Sequence, residues 1–368
     1  MKIIFLVSSM SSGGAERVAS TLVNAWTNQG NQVVLMPTFS GRGECFYELS
    51  PDVRLIYLAD LVSNQDRAIK NQINRLRALR KFIANEQPDV IISFLSNVNV
   101  AAIITSLGFS IPLIICERTD PFITRQPRLL QIACRFTYPF ARMLMVQTQA
   151  VASKYTASGW SLNQLKVIPN PISEQLRNIQ HITNITTSKR ILSIGRLNKG
   201  KQFDVLIRVF AKLAQHHTDW TLRIIGDGEL KDTLQRQITA LGLDEKIELF
   251  GRSTTIGEEL AKADIFAMTS SYEGFPNVLL EAMTIGLPCV SFDCPSGPRE
   301  ISLDGTIALL IPLNDEENLE LALNKLMLDE NLRQTLGSLG RTSVIERFSL
   351  DKILGQWDLL FEELGVLH

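Results

Sequence analysis

Two glutamates flank a proline in the most informative stretch of this chain, residues 271–281, which reads SYEGFPNVLLE. Pro276 is a natural first residue of a helix, because the N–H that proline lacks has no partner at that position anyway. A helix that starts there places Asn277 and Glu281 four residues apart on one face, with Glu273 in the loop just before it. Carboxylates in these positions can accept hydrogen bonds from ribose or sugar hydroxyls. The spacing therefore indicates a site for a polyhydroxylated ligand.

The backbone of the same stretch is suited to an anion. Free N–H groups at a helix N-terminus attract phosphate, and those from Phe275 to Val278 would point into a cleft beside Glu273. The alternative interpretation is a helix cap with two exposed glutamates. It fits Glu281 poorly, because this residue falls within the otherwise apolar run 278–283.

Three turns that contain glycine follow successive predicted strands in the second half of the chain. They read IGR at 194–196, GDGE at 226–229 and GR at 251–252. In an open parallel sheet such turns share one rim, at the carboxyl ends of the strands, where ligands bind. Together they predict a nucleotide cleft that includes Gly195, Gly228 and Arg252.

Two cations belong to the first of these turns. Arg196 ends the strand, and Lys201 follows five residues later. Arginine suits bidentate contact with phosphate, and lysine acts as a mobile point charge, so the pair predicts a phosphate site. Two solvated surface cations are the alternative. The loop is not a Walker A motif, because G-x-x-x-x-G-K-[ST] is absent.

Gly13 and Gly14 open the first predicted helix, just after the first strand. Such glycines let a backbone or a phosphate approach closely, or they only form a tight turn between strand and helix. The pair is not G-x-G-x-x-G, and no acidic residue ends the second strand, so the fingerprint of a dinucleotide site is missing.

Short apolar runs alternate with helical patterns along the chain, which is the rhythm of a parallel, doubly wound sheet. The predicted strands are 3–7, 33–36, 53–58, 90–94, 113–116, 144–146, 191–194, 222–225, 247–250, 265–268, 289–292 and 307–311. We therefore expect an α/β protein with two Rossmann-like domains, at 1–172 and 173–348. Pro169, Pro171 and a Thr-, Asn- and Ser-rich linker at 181–188 separate them. A helix at about 349–368 has one apolar side that must be buried on a structure already built, with the first domain as a candidate.

This ordered set of motifs resembles family 4 of the retaining glycosyltransferases, which have the GT-B fold. The resemblance rests on the E-x₇-E stretch, on the glycine turns before it, on GGAER at 13–17 and on PSGPREI at 295–301. It covers nearly the whole chain and looks closest to bacterial enzymes that extend O-antigen, capsule or N-glycan precursors. It implies an acceptor-binding first domain, a second domain that binds a nucleotide-sugar donor, and an interdomain cleft.

The resemblance also implies a role for each matching residue. Arg196 and Lys201 would hold the donor diphosphate and stabilise it as a leaving group. Glu273 would contact the transferred hexose, and Glu281 would bind the ribose. The other implied substrate contacts are Gly13, Gly14, Gly195, Gly228, Arg252 beside the base, and Gly274, Phe275, Pro276, Asn277 and Val278 around the phosphate and sugar.

One departure from the family's pattern concerns the proton acceptor. Many members carry a histidine at the end of an acceptor-domain strand, but here that position reads CERTDP at 116–121, and the only histidines are at 181, 216, 217 and 368. Glu117 or Asp120 is then a candidate base, with Arg118 between them as a substrate contact. Alternatively, an oxygen of the donor phosphate accepts the proton in front-face transfer. The purely structural interpretation is an ion pair of Glu117 with Arg118.

No D-x-D occurs in the sequence, so the metal-chelating pair of the other large glycosyltransferase fold is missing. Cationic side chains and a helix dipole would then stabilise the leaving group. We expect no obligatory metal and no cofactor.

Composition excludes other classes of protein. The chain has 368 residues, 45% hydrophobic and 20% charged, with a net charge of −1, as in soluble globular proteins. No run approaches the roughly 18 apolar residues of a transmembrane helix, and the apolar run 3–7 is too short for a signal peptide. Five cysteines without a C-x-x-C predict reduced thiols in a cytoplasmic protein.

Charge is divided unevenly between the two halves. Residues 1–172 carry 17 Lys or Arg and 10 Asp or Glu, whereas residues 173–368 carry 20 and 28. A basic first half predicts an anionic partner. The segment 66–82, a basic amphipathic helix, is the candidate for peripheral contact with the anionic inner membrane, with more arginines at 118, 125, 128, 135 and 142. An ordinary helix that covers the sheet with a basic outer side is the alternative.

The function expected from these features is retaining transfer of a hexose or N-acetylhexosamine. The donor would be a nucleotide-diphosphate sugar, with UDP as the expected nucleotide, although no motif fixes the base. The acceptor would be a lipid-linked oligosaccharide or lipopolysaccharide in bacterial surface polysaccharide synthesis, and no nucleic acid is involved. The alternatives are a GT-B sugar epimerase, a soluble transferase of the sucrose or glycogen type, and a non-enzymatic protein that binds nucleotide sugars.

Overall fold

A computed structural model describes residues 1–40, 45–62, 68–124, 126–179, 181 and 189–366. By its internal contacts the chain divides into two compact units. Unit 1 comprises Met1–Pro171 and Ile353–His368, and unit 2 comprises Ile172–Lys352. Of the expected linker at 181–188, all but His181 lies outside the described residues.

Unit 1 is built on a sheet of seven parallel strands in the order β3-β2-β1-β4-β5-β6-β7. The strands are β1 (Lys2–Val7), β2 (Gln32–Pro37), β3 (Arg54–Leu55), β4 (Val90–Phe94), β5 (Leu113–Cys116), β6 (Met143–Val146) and β7 (Leu165–Val167). Most are continuous apolar runs that are buried throughout, as expected where helices cover both faces of a parallel sheet. The predicted strand 53–58 shrinks to two paired residues at the edge, and β7 was not predicted.

The helices of unit 1 are α1 (Gly14–Asn28), α2 (Ala68–Glu86), α3 (Ser96–Ser106), α4 (Arg128–Thr137) and α5 (Gln149–Ala157). A 3-10 turn, Tyr138–Phe140, continues α4. Side chains of α2, α3 and α4 share one core with the sheet, which includes Leu79, Ala102 and Tyr138.

Unit 2 contains six parallel strands in the order β10-β9-β8-β11-β12-β13. They are β8 (Lys189–Ile194), β9 (Trp220–Ile225), β10 (Ile247–Gly251), β11 (Ile265–Met268), β12 (Cys289–Phe292) and β13 (Leu309–Ile311). Its helices are α6 (Glu174–Arg177), α7 (Phe203–Leu213), α8 (Lys231–Ala240), α9 (Ile256–Ala261), α10 (Asn277–Ile285), α11 (Pro298–Ile301), α12 (Glu316–Leu328) and α13 (Glu330–Phe348). Two apolar clusters, one around Phe210 and Trp220 and one around Leu279 and Phe266, form its core. The prediction of two Rossmann-like parallel sheets is confirmed.

The last helix, α14 (Leu350–Glu363), buries its apolar side. Trp357 packs edge-to-face on Trp26 of α1 with ring centroids 5.2 Å apart, and Phe361 lies 5.7 Å from the same ring. From Ile353 onward the chain therefore belongs to unit 1. The amphipathic pattern of 349–368 required such a partner, and α1 supplies it.

Candidate functional site

The carboxyl ends of the strands of unit 2 form a rim whose turns are joined through glycine backbones. Gly195 N–H donates to Ile225 O (2.9 Å) and Gly226 N–H to Gly251 O (2.7 Å), which links the ends of β8, β9 and β10. A Cβ at Gly226 would lie 1.8 Å from Gly195 O, so this close approach requires glycine. Strand order reverses between β8 and β11, the position where open α/β sheets bind ligands.

A second glycine holds the next turn against the first. A Cβ at Gly228 would lie 2.5 Å from Leu197 O, and Leu230 N–H donates to that same oxygen (3.0 Å). The turn after β9 thus rests on the loop after β8. Beside it, Arg252 Nε lies 3.4 Å from Asp227 Oδ2, and both side chains are exposed at the rim.

Lys201 and Glu273, which are 72 residues apart in the chain, meet at this rim. Lys201 Nζ donates to Glu273 Oε1 at 2.5 Å, and Ser270 Oγ donates to the same oxygen at 2.6 Å. Lys201 ends a 3-10 turn, Lys199–Lys201, that Asn198 caps through its side chain. The stem of Lys201 covers Gly195, because a Cβ there would lie 3.2 Å from Lys201 Cδ. The two groups predicted for phosphate and hexose are therefore in direct contact.

Hydrogen bonds hold the loop that carries Glu273 from both sides. Thr269 Oγ1 donates to Lys201 O (2.9 Å), and Ser271 N–H donates to Gly200 O (2.8 Å). On the other side, Glu273 N–H donates to Pro295 O (3.1 Å). The position of the Glu273 carboxylate is thus determined by the loops after β8 and β12 together.

The loop after β12 also supports the N-terminus of α10. Ser296 has φ of +76°, which is uncommon for a residue with a side chain, and its Oγ donates to Gly274 O (3.0 Å). Gly297, with φ of +105°, packs so closely that a Cβ would lie 2.3 Å from Pro276 Cδ. Strained backbone that aims a neighbouring loop is typical of functional sites.

Helix α10 begins at Asn277, not at Pro276, which precedes the helix with ψ of 79°. The prediction of Pro276 as first helical residue was therefore wrong by one position. Phe275 packs in the core against Phe348, with ring centroids 5.9 Å apart, so only its backbone remains for a ligand. Val278 is half-buried against the same core, and Glu281 is buried on α10.

Arg196 is exposed at the end of β8. Within the part of the chain that the structure describes, its guanidinium makes no hydrogen bond or ion pair. It is therefore available to an anion that approaches the rim beside Lys201.

In unit 1, the carboxylate of Glu16 lies in the first turn of α1, beside Gly13. Gly13 precedes α1, and Tyr47 Oη donates to Gly13 O (3.0 Å). Glu16 folds back so that a Cβ at Gly13 would lie 2.1 Å from its Oε2, and Glu16 Oε1 accepts from Ser9 Oγ (2.9 Å). An anion at this end of a helix is favoured by the helix dipole. Gly14, the first residue of α1, is exposed.

Glu117, proposed as a base, is buried below the rim of unit 1. Tyr138 Oη donates to its Oε1, and Ser96 Oγ donates to its Oε2 at 2.9 Å. Burial raises the pKa of Glu117 to about 7, although hydrogen bonds from Tyr138, Ser96 and Asn99 favour the carboxylate. With 2% of its surface exposed, Glu117 does not present an oxygen to a substrate, and the structure argues against its role as base.

Arg118 and Asp120 are also enclosed and have other partners than those the sequence suggested. The Arg118 guanidinium lies over the Phe94 ring (3.5 Å to the centroid) and donates to Asn170 Oδ1 (2.8 Å), with its pKa lowered to about 10 by burial. Asp120 Oδ2 accepts from Lys154 Nζ (2.5 Å). The ion pair between Glu117 and Arg118, which the sequence offered as the structural alternative, is absent among the described contacts. These side chains hold the loop after β5 in place.

Sequence reasoning missed the partners that position the candidate residues. Ser270 in unit 2, and Tyr138 and Ser96 in unit 1, carry no local signal of their role, whereas Ser296 and Gly297 lie in the motif PSGPREI but were given no role. Each meets its partner through the fold, so only the order of the strands could have indicated them.

Two features are absent among the described residues, a cluster of metal ligands and a helix that could span a membrane. No three His, Cys, Asp or Glu side chains among them are grouped so as to hold a metal ion. None of the described helices is long and apolar enough to cross a membrane.

Comparison with known proteins matches each half of the chain to a family. Residues 13–171 match the family described as "Glycosyl transferase 4-like domain", and residues 175–343 match "Glycosyl transferases group 1".

Two curated relatives match over almost their full length. One, from Campylobacter jejuni, is 28% identical over 99% of both chains and is named a GalNAc-α-(1→4)-GalNAc-α-(1→3)-diNAcBac-PP-undecaprenol α-1,4-N-acetyl-D-galactosaminyltransferase. The amylovoran biosynthesis glycosyltransferase AmsD of Erwinia amylovora is 29% identical over 97% of this chain and 98% of its own.

Solved structures share the fold at low identity. Sucrose-phosphate synthase from Thermosynechococcus elongatus superposes with a TM-score of 0.85 at 17% identity over 99% of both chains. Anabaena HepE in complex with UDP superposes with a TM-score of 0.81 at 21% identity over 100% of both chains.

Proposed function

Because this chain belongs to the glycosyltransferases that pair a glycosyl transferase 4-like domain with a group 1 domain, we propose that it extends a lipid-linked saccharide from a UDP-sugar. The transferred group is a hexose or N-acetylhexosamine, and its anomeric configuration is retained. The acceptor class is supported by the Campylobacter relative, whose named substrate is linked to undecaprenol through a diphosphate. The nucleotide is supported by the UDP complex of HepE.

The observation that carries the proposal is the cluster of Lys201, Glu273 and Ser270 at the rim of unit 2. In the free enzyme the ammonium group neutralises the carboxylate. A diphosphate that arrives beside Arg196 competes for that ammonium, because it carries more negative charge than one carboxylate does. Glu273 is then free to accept from a hydroxyl of the donor sugar. One cluster thereby couples binding of the leaving group to positioning of the sugar.

The proton of the acceptor hydroxyl needs a destination, and the enclosed Glu117 is not suited to receive it. We assign it to the leaving phosphate. The acceptor oxygen bonds to the anomeric carbon as the bond from that carbon to the phosphate oxygen breaks, and the proton passes to the departing oxygen on the same face. Lys201 and Arg196 stabilise the negative charge that develops there.

Peripheral association with the cytoplasmic face of the inner membrane is part of the proposal. A lipid-linked acceptor keeps its polyprenyl chain in the bilayer, so the enzyme must work at that surface. The excess of cations in residues 1–172 is consistent with attraction to anionic lipid.

The test is a screen of purified protein against UDP-, GDP- and ADP-sugars by thermal shift, followed by transfer to a polyprenyl-diphosphate-linked saccharide. We expect stabilisation by a UDP-sugar and an α-linked product by NMR when the donor is α-linked. Lys201→Met should lower kcat by roughly a hundredfold or more, as for loss of an electrostatic transition-state contact. Lys199→Met, in the same turn but without an ion pair among the described residues, is the matched control and should keep activity.

Other outcomes would select the alternatives. A UDP-sugar that binds but is neither transferred nor slowly hydrolysed would indicate a binding protein. Conversion of the free sugar nucleotide to its epimer, or transfer to a soluble sugar phosphate alone, would indicate an epimerase or a transferase of the sucrose type.

A further inference from the structure

Helix α4 and the turn after it carry an apolar face that points away from the core. Leu129, Ile132 and Phe136 are 81%, 54% and 73% exposed, and Phe140 in the turn is 66% exposed. Spacings of three and four residues place the first three on one side of the helix. These four residues are called the α4 face below.

The α4 face is a second apolar side of the helix, separate from the side that packs on the sheet. Cys134 and Tyr138 are buried on that inner side and belong to the core of unit 1. A helix that covers a sheet normally has a polar outer side. The α4 face is therefore apolar surface that unit 1 does not need for its own fold, and exposed apolar patches mark interaction sites.

The stretch of sequence that contains the α4 face carries charges of a single sign, although Lys154 and Lys166 in it pair with Asp120 and Glu363. Arg128, Arg135 and Arg142 are exposed on helix α4 or shortly after it, although Arg135 also donates to Gly159 O (2.8 Å). The stretch 121–173 contains six Lys or Arg and no Asp or Glu. Apolar side chains that enter the acyl boundary, ringed by cations that meet phosphate headgroups, match the chemistry of an anionic lipid surface.

We propose that the α4 face docks unit 1 on an anionic lipid bilayer. This inference rests on the proposed function and names the surface that serves it. A second copy of the chain is a poorer occupant, since symmetric pairing of two α4 faces would oppose the cations of both copies.

Helix α2, which the sequence favoured for membrane contact, offers less free surface. Arg75 donates to Thr38 O (3.2 Å), and Arg80 donates to Leu107 O (2.7 Å), so these two cations have partners within unit 1. Leu79 of the predicted apolar stripe is buried in the core. Residues 66 and 67, at the start of the predicted segment 66–82, lie outside the described part of the chain.

The direction in which α4 runs shows where the α4 face lies relative to the carboxyl rim of the unit 1 sheet. The helix joins β5 to β6 in a parallel sheet, so it begins at the carboxyl rim and runs toward the other edge. Gln126, just before α4, donates to Ser96 Oγ (2.7 Å) at that rim. Docking through the α4 face would thus bring the bilayer beside the end of unit 1 where ligands of an open parallel sheet bind.

The experiment compares two double variants of the full chain in co-sedimentation with vesicles of phosphatidylglycerol and phosphatidylcholine. Leu129→Gln with Phe136→Gln removes apolar area from the α4 face. Leu328→Gln with Leu359→Gln is the matched control, since these leucines are 70% and 66% exposed on α12 and α14. We expect the first variant to bind anionic vesicles more weakly than the wild type by about tenfold or more, and the control to bind as the wild type does. Thermal unfolding should be unchanged in both, and salt should weaken wild-type binding.

Equal sedimentation of the α4 variant and the wild type on anionic vesicles would overturn the inference. So would a wild-type dimer in solution that the α4 variant abolishes without any change in vesicle binding, because the occupant is then a second copy. Binding of UDP-sugar, measured without vesicles, is a separate readout. Its absence in the wild type would refute the proposed function, while the vesicle result would still decide the role of the α4 face.

Discussion

Glu281 is a carboxylate that the fold buries on α10, one helical turn beyond the residue that begins the helix. Burial of a carboxylate costs free energy unless its oxygens accept hydrogen bonds or pair with a cation, from the protein or from a ligand. Position alone does not separate these roles, since a helix-stabilising group and a ribose acceptor can occupy the same site. Donor affinity and stability measured on one variant do separate them.

The variant Glu281→Gln keeps the shape of the side chain and removes its charge. If the carboxylate accepts from the ribose, charge-assisted hydrogen bonds are lost, and donor affinity should fall by roughly ten- to a hundredfold. Titration with the nucleotide sugar by calorimetry measures this change.

Glu259→Gln is the control matched in burial. Glu259 is 7% exposed, against 6% for Glu281, and it pairs with Arg223 at 2.7 Å. We expect this change to lower the melting temperature and to leave donor affinity unaltered. Lower stability with unchanged affinity in Glu281→Gln itself would assign Glu281 a structural role and remove it from the donor site.

At the level of the elements, a buried polar network joins the end of β5 to α3 and to the turn after α4. Glu117 lies at its centre, with Tyr138 on one oxygen and Ser96 on the other. Asn99 donates to Tyr138 Oη (3.3 Å) and accepts from Ser93 Oγ (2.7 Å). The network therefore connects the loop after β5, at the carboxyl rim of unit 1, with the turn that follows the helix carrying the α4 face.

This network predicts how stability varies with pH. Burial raises the pKa of Glu117 from its ordinary 4.5 to about 7, so between these values the folded state binds more protons than the unfolded state. Stability should fall as pH rises through this window, and by at most about 3 kcal/mol in total. Glu117→Gln should remove that fall, measured by urea unfolding at pH 5 and pH 7.5.

Neighbouring groups do not titrate in this window, since burial raises the pKa of Cys134 to about 12 and that of Tyr138 well above its ordinary value. Glu86→Gln serves as a control because Glu86 should change stability with pH in the opposite direction. The Arg54 hydrogen bond lowers the pKa of Glu86, so its contribution is present at neutral pH and is lost as pH falls. A pH slope in Glu117→Gln equal to that of the wild type would show that Glu117 is already ionised throughout the range.

For the molecule as a whole, the reaction we propose relies on fixed cations in place of a metal ion. The sequence has no D-x-D, and Lys201, Arg196 and the N-terminus of α10 supply positive charge at the rim of unit 2. Transfer in excess EDTA should therefore proceed within about twofold of the untreated rate, because the leaving group is stabilised by side chains and helix dipole. A loss above about tenfold that manganese or magnesium restores would contradict this expectation.

Much of the architecture follows from the sequence, because its signals are local. Short apolar runs mark most of the strands, since both faces of a parallel sheet are covered. Glycines at 195, 226 and 228 mark turns in which backbones touch. From the glycine turns and the E-x₇-E stretch the sequence predicts Lys201 and Glu273 at one cleft, and the structure brings these two side chains into contact.

The tertiary structure alone decided which side chains meet and which are enclosed. Lys201 contacts Glu273 across 72 residues, and Trp26 contacts Trp357 across most of the chain. Glu117 follows a strand, as a catalytic base would, yet the packing of Tyr138 over it makes it part of the core. Leu79 and Leu129 both belong to apolar stripes at helical spacing, yet Leu79 is buried and Leu129 is exposed. Spacing along one element fixes the face on which a residue lies, but only the neighbouring elements determine whether that face is covered.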